Sequence, residues 1–192
     1  MSRVAVCSRS FSRHPVLRAE LAARYPDATF NDAGLSLNGD ALIDYLRGHD
    51  KAVIALEPIT DAVLAALPEL KVISKFGVGY DKLDLEAMAC RGIALGWQGG
   101  VNKRSVSELV ICFAIDLLRH VSRTDRELRR GEWKLQPGRQ LSDRTVGIIG
   151  CGHVGKDLAI LLRAFGCRLL AHDVLDFAPF YQNHGIEACG LG

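Results

Sequence analysis

The sequence predicts an α/β protein made of two units, each with parallel strands in its sheet. Short apolar runs that suit strands alternate with amphipathic runs that suit helices from the N-terminus onward, which is typical of β-α-β units. A long helical pattern and a turn-rich stretch follow, and a second unit of the same kind begins at Arg144. The predicted boundary separates residues 1–101 from residues 102–192.

The first unit contains strands and helices in regular alternation. The strand-like runs are RVAVC, KAVIAL, KVISKF and the short IAL at 93–95, and a helical pattern passes through Leu17 and Leu21. Thr60 and Asp84 are placed to cap the helices DAVLAAL and LEAMAC. The pattern is flavodoxin-like and holds no nucleotide-binding fingerprint, so we expect this unit to bind something else.

A glycine-containing loop follows the strand KVISKF. In SKFGVGYDKLD, Gly77 and Gly79 permit close approach of another group, and free amides there would form an anion-binding concavity suited to a carboxylate. The residues alone leave substrate binding and an ordinary strand-to-helix turn equally open. Lys75 is a candidate second substrate contact, although a lysine at a strand end is usually solvated.

The segment between the two units is helical. Apolar residues recur at helical spacing from Val106 to Val121, and Ser105 with Glu108 forms the S-x-x-E capping box that is predicted to begin this helix. The arginine-rich stretch 119–134 follows and also contains acidic residues. That mixture favours a solvated or subunit-facing helix over a nucleic-acid site.

The strongest chemical signal lies in RTVGIIGCGHVGKDLAILLRAFGCRLLAHD. A strand precedes the G-x-G-x-x-G glycines Gly150, Gly152 and Gly155, and an amphipathic helix follows them. The first glycine permits a tight turn, the second lets the backbone approach a pyrophosphate, and the third lets the helix pack against the strand. The amides of His153 and Val154 would then face the phosphates at the helix N-terminus.

An acidic residue completes this fingerprint at the end of the next strand. Asp173 would accept hydrogen bonds from the adenine ribose hydroxyls and repel a 2′-phosphate, and Val174 supplies no positive charge for NADP. NAD is therefore the predicted cofactor. The alternative is a structural glycine turn with an aspartate that only caps a strand end.

Composition excludes several partner classes. The 24 Lys and Arg nearly balance the 22 Asp and Glu, which gives no reason to expect nucleic acid or a membrane surface as a partner. No apolar run approaches the roughly 20 residues of a spanning helix, and the N-terminus lacks a secretory signal, so we expect a cytoplasmic protein that binds small molecules. The six cysteines are scattered singly, which predicts reduced, mostly buried thiols and no metal site.

Three segments together resemble one enzyme family. KVISKFGVGYDKLDLEAMACRGIAL, GGVNKRSVSELVICFAIDLLRH and GEWKLQPGRQLSDRTVGIIGCGHVGKDLA are similar, in order, to the D-2-hydroxyacid dehydrogenases, and D-3-phosphoglycerate dehydrogenases are among those most alike. The resemblance covers nearly the whole chain. It implies a flavodoxin-like substrate domain, then an incomplete Rossmann NAD-binding domain, and a homodimer formed beside the long helix. The implied reaction moves a hydride between C2 of a D-2-hydroxy acid and the nicotinamide.

The resemblance also implies roles for particular residues. Carried over position by position, the amides of Val78 and Gly79 hold the substrate carboxylate, and Val78 also lies near the nicotinamide. His153 and Val154 contact the pyrophosphate, and Asp173 contacts the adenine ribose. These roles agree with the interpretation of the two glycine loops given above.

The sequence departs from the family in two places. The segment 97–100, Trp-Gln-Gly-Gly, stands where the family has Thr-Pro, which leaves the shape of the substrate site open there. The family's catalytic Arg, Glu and His lie further along and have no counterparts in these residues, so no histidine is assigned a catalytic role. The chain is therefore expected to be an N-terminal part that is inactive alone. Two other classes stay open: a non-catalytic NAD-sensing or corepressor-like protein, and a nucleic-acid binder with a steep salt dependence.

Overall fold

The structure is a computed structural model that describes residues 2–191. The chain divides into two compact units, Met1–Gly99 and Gly100–Gly192, and each has its own sheet and its own hydrophobic core. None of the helices in the described range is long and apolar enough to cross a membrane.

The first unit is a parallel five-stranded sheet with helices between its strands. Its strands are β1 (Val4–Val6), β2 (Thr29–Phe30), β3 (Lys51–Ile54), β4 (Val72–Lys75) and β5 (Ala94–Gly96). Its helices are α1 (Arg9–Arg13), α2 (Pro15–Arg24), α3 (Gly39–Leu46), α4 (Asp61–Ala65) and α5 (Leu85–Cys90). The strand order β2-β1-β3-β4-β5 is that of a flavodoxin-like sheet, so the predicted fold class is confirmed for this unit.

The predicted helix caps of this unit are present. The Thr60 hydroxyl accepts a hydrogen bond from the Val63 amide at 3.3 Å, and Asp84 accepts one from the Ala87 amide at 2.9 Å. The strand predicted at 93–95 begins one residue later, because the Ile93 amide still bonds to a carbonyl of the preceding helix. Strand β2 and helices α1 and α3 were not predicted, since each is short or carries little periodic pattern.

The second unit is a parallel three-stranded sheet flanked by helices. Its strands are β6 (Thr145–Ile149), β7 (Arg168–His172) and β8 (Ile186–Ala188). Its helices are α6 (Lys103–Arg119), α7 (Val121–Arg129), α8 (His153–Arg163) and α9 (Ala178–His184). The order β6-β7-β8 and the crossover through α8 are those of half a doubly wound dinucleotide-binding sheet, as predicted.

The start and the end of the long helix differ from the prediction. The helix begins two residues earlier, at Lys103, and the Ser105 hydroxyl donates to the Asn102 carbonyl at 2.9 Å. A serine already inside the first turn cannot cap the helix, so the predicted capping box of Ser105 and Glu108 is wrong. At the other end, His120 has a left-handed φ of 58°, which ends α6 and starts α7 at a new angle.

The cysteines are less buried than predicted. Cys7 and Cys151 are buried, but Cys90, Cys112 and Cys189 are exposed. Burial raises the pKa of both the Cys7 and the Cys151 thiols above the ordinary value. Neither buried thiol is therefore an activated nucleophile.

Candidate functional site

The glycine turn after β6 needs a backbone that only glycine adopts readily. Gly150 has φ of 89°, and its amide donates to the His172 carbonyl at 2.8 Å, which joins the end of β6 to the end of β7. A side chain at this position would be strained whatever space surrounds it. The turn therefore carries the chain from the strand to the helix α8 without a side chain in the way.

The other two glycines differ in how much space surrounds them. A Cβ atom added to Gly152 would meet nothing within 4 Å, so the space beside its backbone is open. A Cβ atom added to Gly155 would lie 2.3 Å from the Gly150 carbonyl oxygen and 3.2 Å from the side chain of Ile148. Helix α8 is thus packed directly on the turn, while the turn leaves room beside Gly152 for another group.

The first turn of α8 offers free hydrogen-bond donors. Its first intrahelical bond runs from the Lys156 amide to the Gly152 carbonyl at 3.0 Å. Across residues 2–191, the amides of His153, Val154 and Gly155 have no acceptor. Free amides at the positive end of a helix dipole suit an anion such as a phosphate, and the open space beside Gly152 is where such a group fits.

Asp173, the residue predicted to bind the ribose, is hydrogen-bonded to the same turn. Asp173 accepts a hydrogen bond from the Cys151 amide at 2.6 Å through one carboxylate oxygen and one from the Leu175 amide at 2.9 Å through the other. The bonds from Leu175 and Cys151 lower the pKa of the Asp173 carboxyl below its ordinary value. The group is therefore ionised at neutral pH, and each oxygen keeps lone pairs that can accept from a hydroxyl.

The side chain of His153 is exposed, and one side of its ring contacts the segment before α6. A Cβ atom on Gly100 would lie 2.6 Å from the His153 Cγ and 2.7 Å from its Nδ1, so the imidazole packs against the Gly100 backbone. Gly100 itself has φ of 72°. The ring is therefore engaged by the segment before α6, and the amide of His153 is the group left for a phosphate.

Helix α8 is held against α6 by a polar contact that sequence reasoning missed. Arg104 on α6 pairs with the buried Asp157 on α8 at 3.0 Å, and the Ser107 hydroxyl lies 3.3 Å from the Val154 carbonyl. A buried carboxylate is costly unless it is paired, so Arg104 fixes the position of α8 relative to α6. No spacing rule in the sequence links positions so far apart.

In the first unit, the loop after β4 also presents free amides. Gly77 has φ of 123°, and within the described chain the amides of Gly77, Val78 and Gly79 have no acceptor. The residues beside them line a cavity of about 220 Å³: Ala55, Glu57, Lys75, Val78 and Gly79 are among its walls. Unpaired amides beside a cavity suit a small anionic ligand.

Lys75 and Glu57 hold the wall of this cavity. The Lys75 ammonium donates to the Ala55 carbonyl at 2.6 Å, and the Glu57 carboxylate accepts from the Ala55 amide at 2.6 Å. The ammonium also lies 3.5 Å from the Phe76 carbonyl, so Lys75 uses two of its three donors on the backbone and keeps one for a ligand. Glu57, which is buried, was not predicted, because an isolated glutamate before a proline carries no recognisable signal.

Trp97, in the segment expected to depart from the family sequence, has a definite contact. The Trp97 indole nitrogen donates to the Val78 carbonyl at 2.9 Å. Its ring meets the ring of Tyr80 edge-on, with centroids 5.1 Å apart and planes at 88°. Trp97 therefore contacts the backbone of the same loop whose amides are unpaired.

Four of the six histidine rings form hydrogen bonds in the described chain. Among the described residues, no histidine is hydrogen-bonded to a carboxylate. The bonded rings have backbone or non-acidic partners: His14 with the Leu17 amide, His49 with Thr29, His172 with the Cys189 carbonyl and His184 with Arg163. His14 caps the start of α2, and none of the four contacts makes an imidazole–carboxylate pair suited to proton transfer.

Comparisons with known proteins place the chain in a family. The profile of the family described as "D-isomer specific 2-hydroxyacid dehydrogenase, catalytic domain" matches residues 4–189. A Schizosaccharomyces pombe protein provisionally named a D-3-phosphoglycerate dehydrogenase is 38% identical over 147 residues, which cover 75% of this chain and 32% of that protein. The glyoxylate reductase of Korarchaeum cryptofilum is 29% identical over 153 residues, covering 76% and 46% of the two chains.

A solved structure agrees with the sequence comparisons. A protein from Polaromonas sp. JS6 66, provisionally named a D-isomer specific 2-hydroxyacid dehydrogenase, NAD-binding, superposes with a TM-score of 0.86 at 26% identity. The match covers 98% of this chain and 60% of that one. The chain spans between 32% and 50% of the length of the first curated relatives it matches. Since the family profile extends over nearly all of its residues, the chain belongs to the D-isomer specific 2-hydroxyacid dehydrogenase family.

Proposed function

We propose that this chain supplies the cofactor turn and the substrate-carboxylate loop of an oxidoreductase that acts on the CH–OH group of D-2-hydroxy acids. The observation that carries the proposal is the glycine turn of the second unit, where free helix amides and the Asp173 carboxylate belong to one hydrogen-bonded structure. On this proposal, residues 1–101 are part of the substrate domain, and residues 102–192 are the linker helix and the first half of the NAD-binding domain.

NAD is the cofactor that these residues fit. The amides of His153 and Val154 bind the pyrophosphate, and the open space at Gly152 admits it. Asp173 binds the adenine ribose, and its negative charge disfavours the 2′-phosphate of NADP. When bound, NAD supplies the hydride acceptor of the reaction.

The substrate is a small 2-hydroxy or 2-keto acid. Its carboxylate accepts hydrogen bonds from the amides of Val78 and Gly79, and Lys75 adds a positive charge beside them. Val78 also lies near the nicotinamide in this proposal. Relatives named as D-3-phosphoglycerate dehydrogenase, glyoxylate reductase and hydroxypyruvate reductase support this substrate class.

The proton of the substrate hydroxyl needs a group that the described residues do not provide. No imidazole–carboxylate pair occurs among residues 2–191, and each paired histidine ring has a structural partner. We therefore assign the acid–base role to the family's His, supported by its Glu and Arg, outside these residues. The 192-residue chain binds and orients but does not turn over on this proposal.

The proposed cofactor preference and the proposed lack of turnover can both be tested on the 192-residue chain. We expect NADH to bind the 192-residue chain more tightly than NADPH in a fluorescence titration, with no oxidation of NADH by glyoxylate or hydroxypyruvate above a buffer blank. Tighter binding of NADPH would remove the role proposed for Asp173. Steady turnover that survives further purification would make one of the six histidines catalytic and would refute the assignment of the acid–base group.

We also propose that the protein is a homodimer, formed through the outer face of α6. The inner face packs on the core of its unit, but Leu109, Phe113 and Leu117 are 50%, 55% and 74% exposed. A contiguous apolar face of this kind is typical of a subunit interface. Sedimentation at micromolar concentration should give a dimer, and Leu117→Glu should shift it toward monomer; a wild-type monomer would refute the interface.

Nucleic-acid binding and non-catalytic NAD sensing, the two alternative functions, receive less support. In the arginine-rich stretch, Arg123, Arg129 and Lys134 are each paired with a carboxylate of the same segment, so much of its positive charge is neutralised. That pairing disfavours a nucleic-acid site. The NAD-sensing alternative shares the cofactor turn and would be preferred if the full-length protein bound NADH but reduced no 2-keto acid. The cytoplasmic location remains a prediction.

A further inference from the structure

The loop that carries the unpaired amides is held at its middle by a single side chain. Its start is fixed by the Phe76 amide, which donates to the Ile54 carbonyl at 2.7 Å, and its end by the Tyr80 carbonyl, which accepts from Leu83 at 3.0 Å. Between those points the described structure contains two hydrogen bonds to the backbone: the Lys75 ammonium lies 3.5 Å from the Phe76 carbonyl at the start of the loop, and the Trp97 indole donates to the Val78 carbonyl at its centre. The orientation of the central peptide therefore depends on Trp97.

Because the peptide bond is planar, the hydrogen bond from Trp97 to the Val78 carbonyl also restricts the direction of the Gly79 N–H. The carbonyl of Val78 and the N–H of Gly79 belong to the same planar peptide unit and point in opposite directions. A donor that holds the carbonyl on one side consequently directs the Gly79 N–H to the other side. Val78 and Gly79 line the cavity beside this peptide, whereas Trp97 is not among its lining residues, so the indole acts from outside the cavity.

The sheet places the indole where this contact can form. Strands β4 and β5 are paired in parallel with Ser74 opposite Gly96, so Trp97 leaves β5 beside the point where Lys75 leads into the loop. The edge-on contact with Tyr80 then restricts the indole ring. The register of β4 and β5 therefore brings Trp97 beside the start of the loop, and Tyr80 restricts its ring there.

We propose that Trp97 is a positioning residue for substrate binding: through the Val78 carbonyl it orients the Gly79 amide toward the substrate carboxylate. This inference rests on the proposed function, in which the Val78 and Gly79 amides bind that carboxylate. On this proposal Trp97 acts on the carboxylate only through the Val78 carbonyl, since it does not line the cavity. It lies in the segment in which this sequence departs from the family pattern, so the way the loop is oriented here is a property of this chain's own residues.

The two tryptophans of the chain provide a matched test. Trp97→Phe keeps an aromatic ring beside Tyr80 but removes the indole donor. Trp133→Phe makes the same chemical change at a residue of the other unit that is 87% exposed. We would titrate ¹⁵N-labelled 192-residue chain with D-lactate and follow the Val78 and Gly79 amides by NMR in the wild type and in both variants.

The expected result is specific to one variant. In the wild type, D-lactate should shift the Val78 and Gly79 amide signals. In Trp97→Phe the dissociation constant should rise about fivefold, the effect of losing one hydrogen bond, and the Gly79 signal should already be displaced before ligand is added. Trp133→Phe should match the wild type in both respects, and signals of the first-unit core should stay in place in all three proteins.

The outcomes separate this inference from the function on which it rests. If D-lactate shifts no signal at Val78 or Gly79 of the wild type, the proposed carboxylate site is wrong and the role of Trp97 is wrong with it. If the wild type binds and Trp97→Phe binds equally well, the carboxylate site stands and Trp97 does not position it. Loss of the first-unit core signals in Trp97→Phe would mean that the indole supports the fold rather than the peptide.

Discussion

The two units of this chain present free amides to an anion in two different ways. In the second unit the amides belong to the first turn of α8, and the packing of that helix on the Gly150 turn fixes their direction. In the first unit the amides lie in an irregular loop, and the side chains of Trp97 and Lys75 contact the Val78 and Phe76 carbonyls of that loop. The cofactor turn should therefore be sensitive to added Cβ atoms, and the substrate loop to lost side-chain donors.

The largest effect is expected on the stability of the second unit, when a Cβ atom is added at Gly155. Gly155→Ala would place a Cβ atom 2.3 Å from a backbone oxygen, which cannot move aside as a side chain can. We expect a loss of about 3 kcal/mol in the free energy of unfolding, at the upper end of overpacking effects. Urea unfolding followed by far-ultraviolet circular dichroism measures it.

A control variant distinguishes this clash from the general effect of a glycine-to-alanine substitution on stability. Gly147 lies in β6, and its added Cβ would meet nothing within 4 Å. Gly147→Ala should therefore unfold at nearly the wild-type urea concentration. If Gly155→Ala were as stable as Gly147→Ala, helix α8 would not be packed on the turn as described.

A smaller effect, on binding alone, is expected at Gly152. Its added Cβ enters open space, so Gly152→Ala should fold normally, but the methyl group would occupy the room proposed for the pyrophosphate. We expect NADH to bind about tenfold more weakly, a change of about 1.4 kcal/mol. Isothermal titration calorimetry with Gly147→Ala as the matched variant would measure this, and equal affinities in the two proteins would place the pyrophosphate elsewhere.

The smallest effect concerns acid stability. Hydrogen bonds lower the pKa of Asp173 in the folded chain, so its contribution to stability is present above the unfolded carboxyl pKa of about 4 and is lost as the pH falls through the folded value. Asp173→Asn should lower the urea midpoint at pH 7 by more than at pH 3. Trp97→Phe changes no ionisable group and should give the same shift in midpoint at both values. A difference between wild type and Asp173→Asn that did not depend on pH would contradict the role of the charge.

Sequence patterns predicted the features that depend on local spacing. The glycine fingerprint, the strands β6 and β7 and the caps at Thr60 and Asp84 each depend on neighbouring residues, and the structure has them. The contacts of Trp97 and Glu57 depend instead on which strands are adjacent in the sheet and on how loops fold back, which no local pattern encodes. The capping box at Ser105 failed for a related reason, since a short motif does not say where a helix begins.

The packing of His153 on Gly100 links two distant positions in the sequence. Because Gly100 has a positive φ and the His153 imidazole where its Cβ would stand, a side chain at position 100 would be strained and would require the imidazole to move. A smaller residue at 153 would remove the steric part of this restriction but leave the conformational part. A change at residue 153 alone would consequently not release position 100 from glycine, although a larger residue at 153 would still have to pack against the Gly100 backbone.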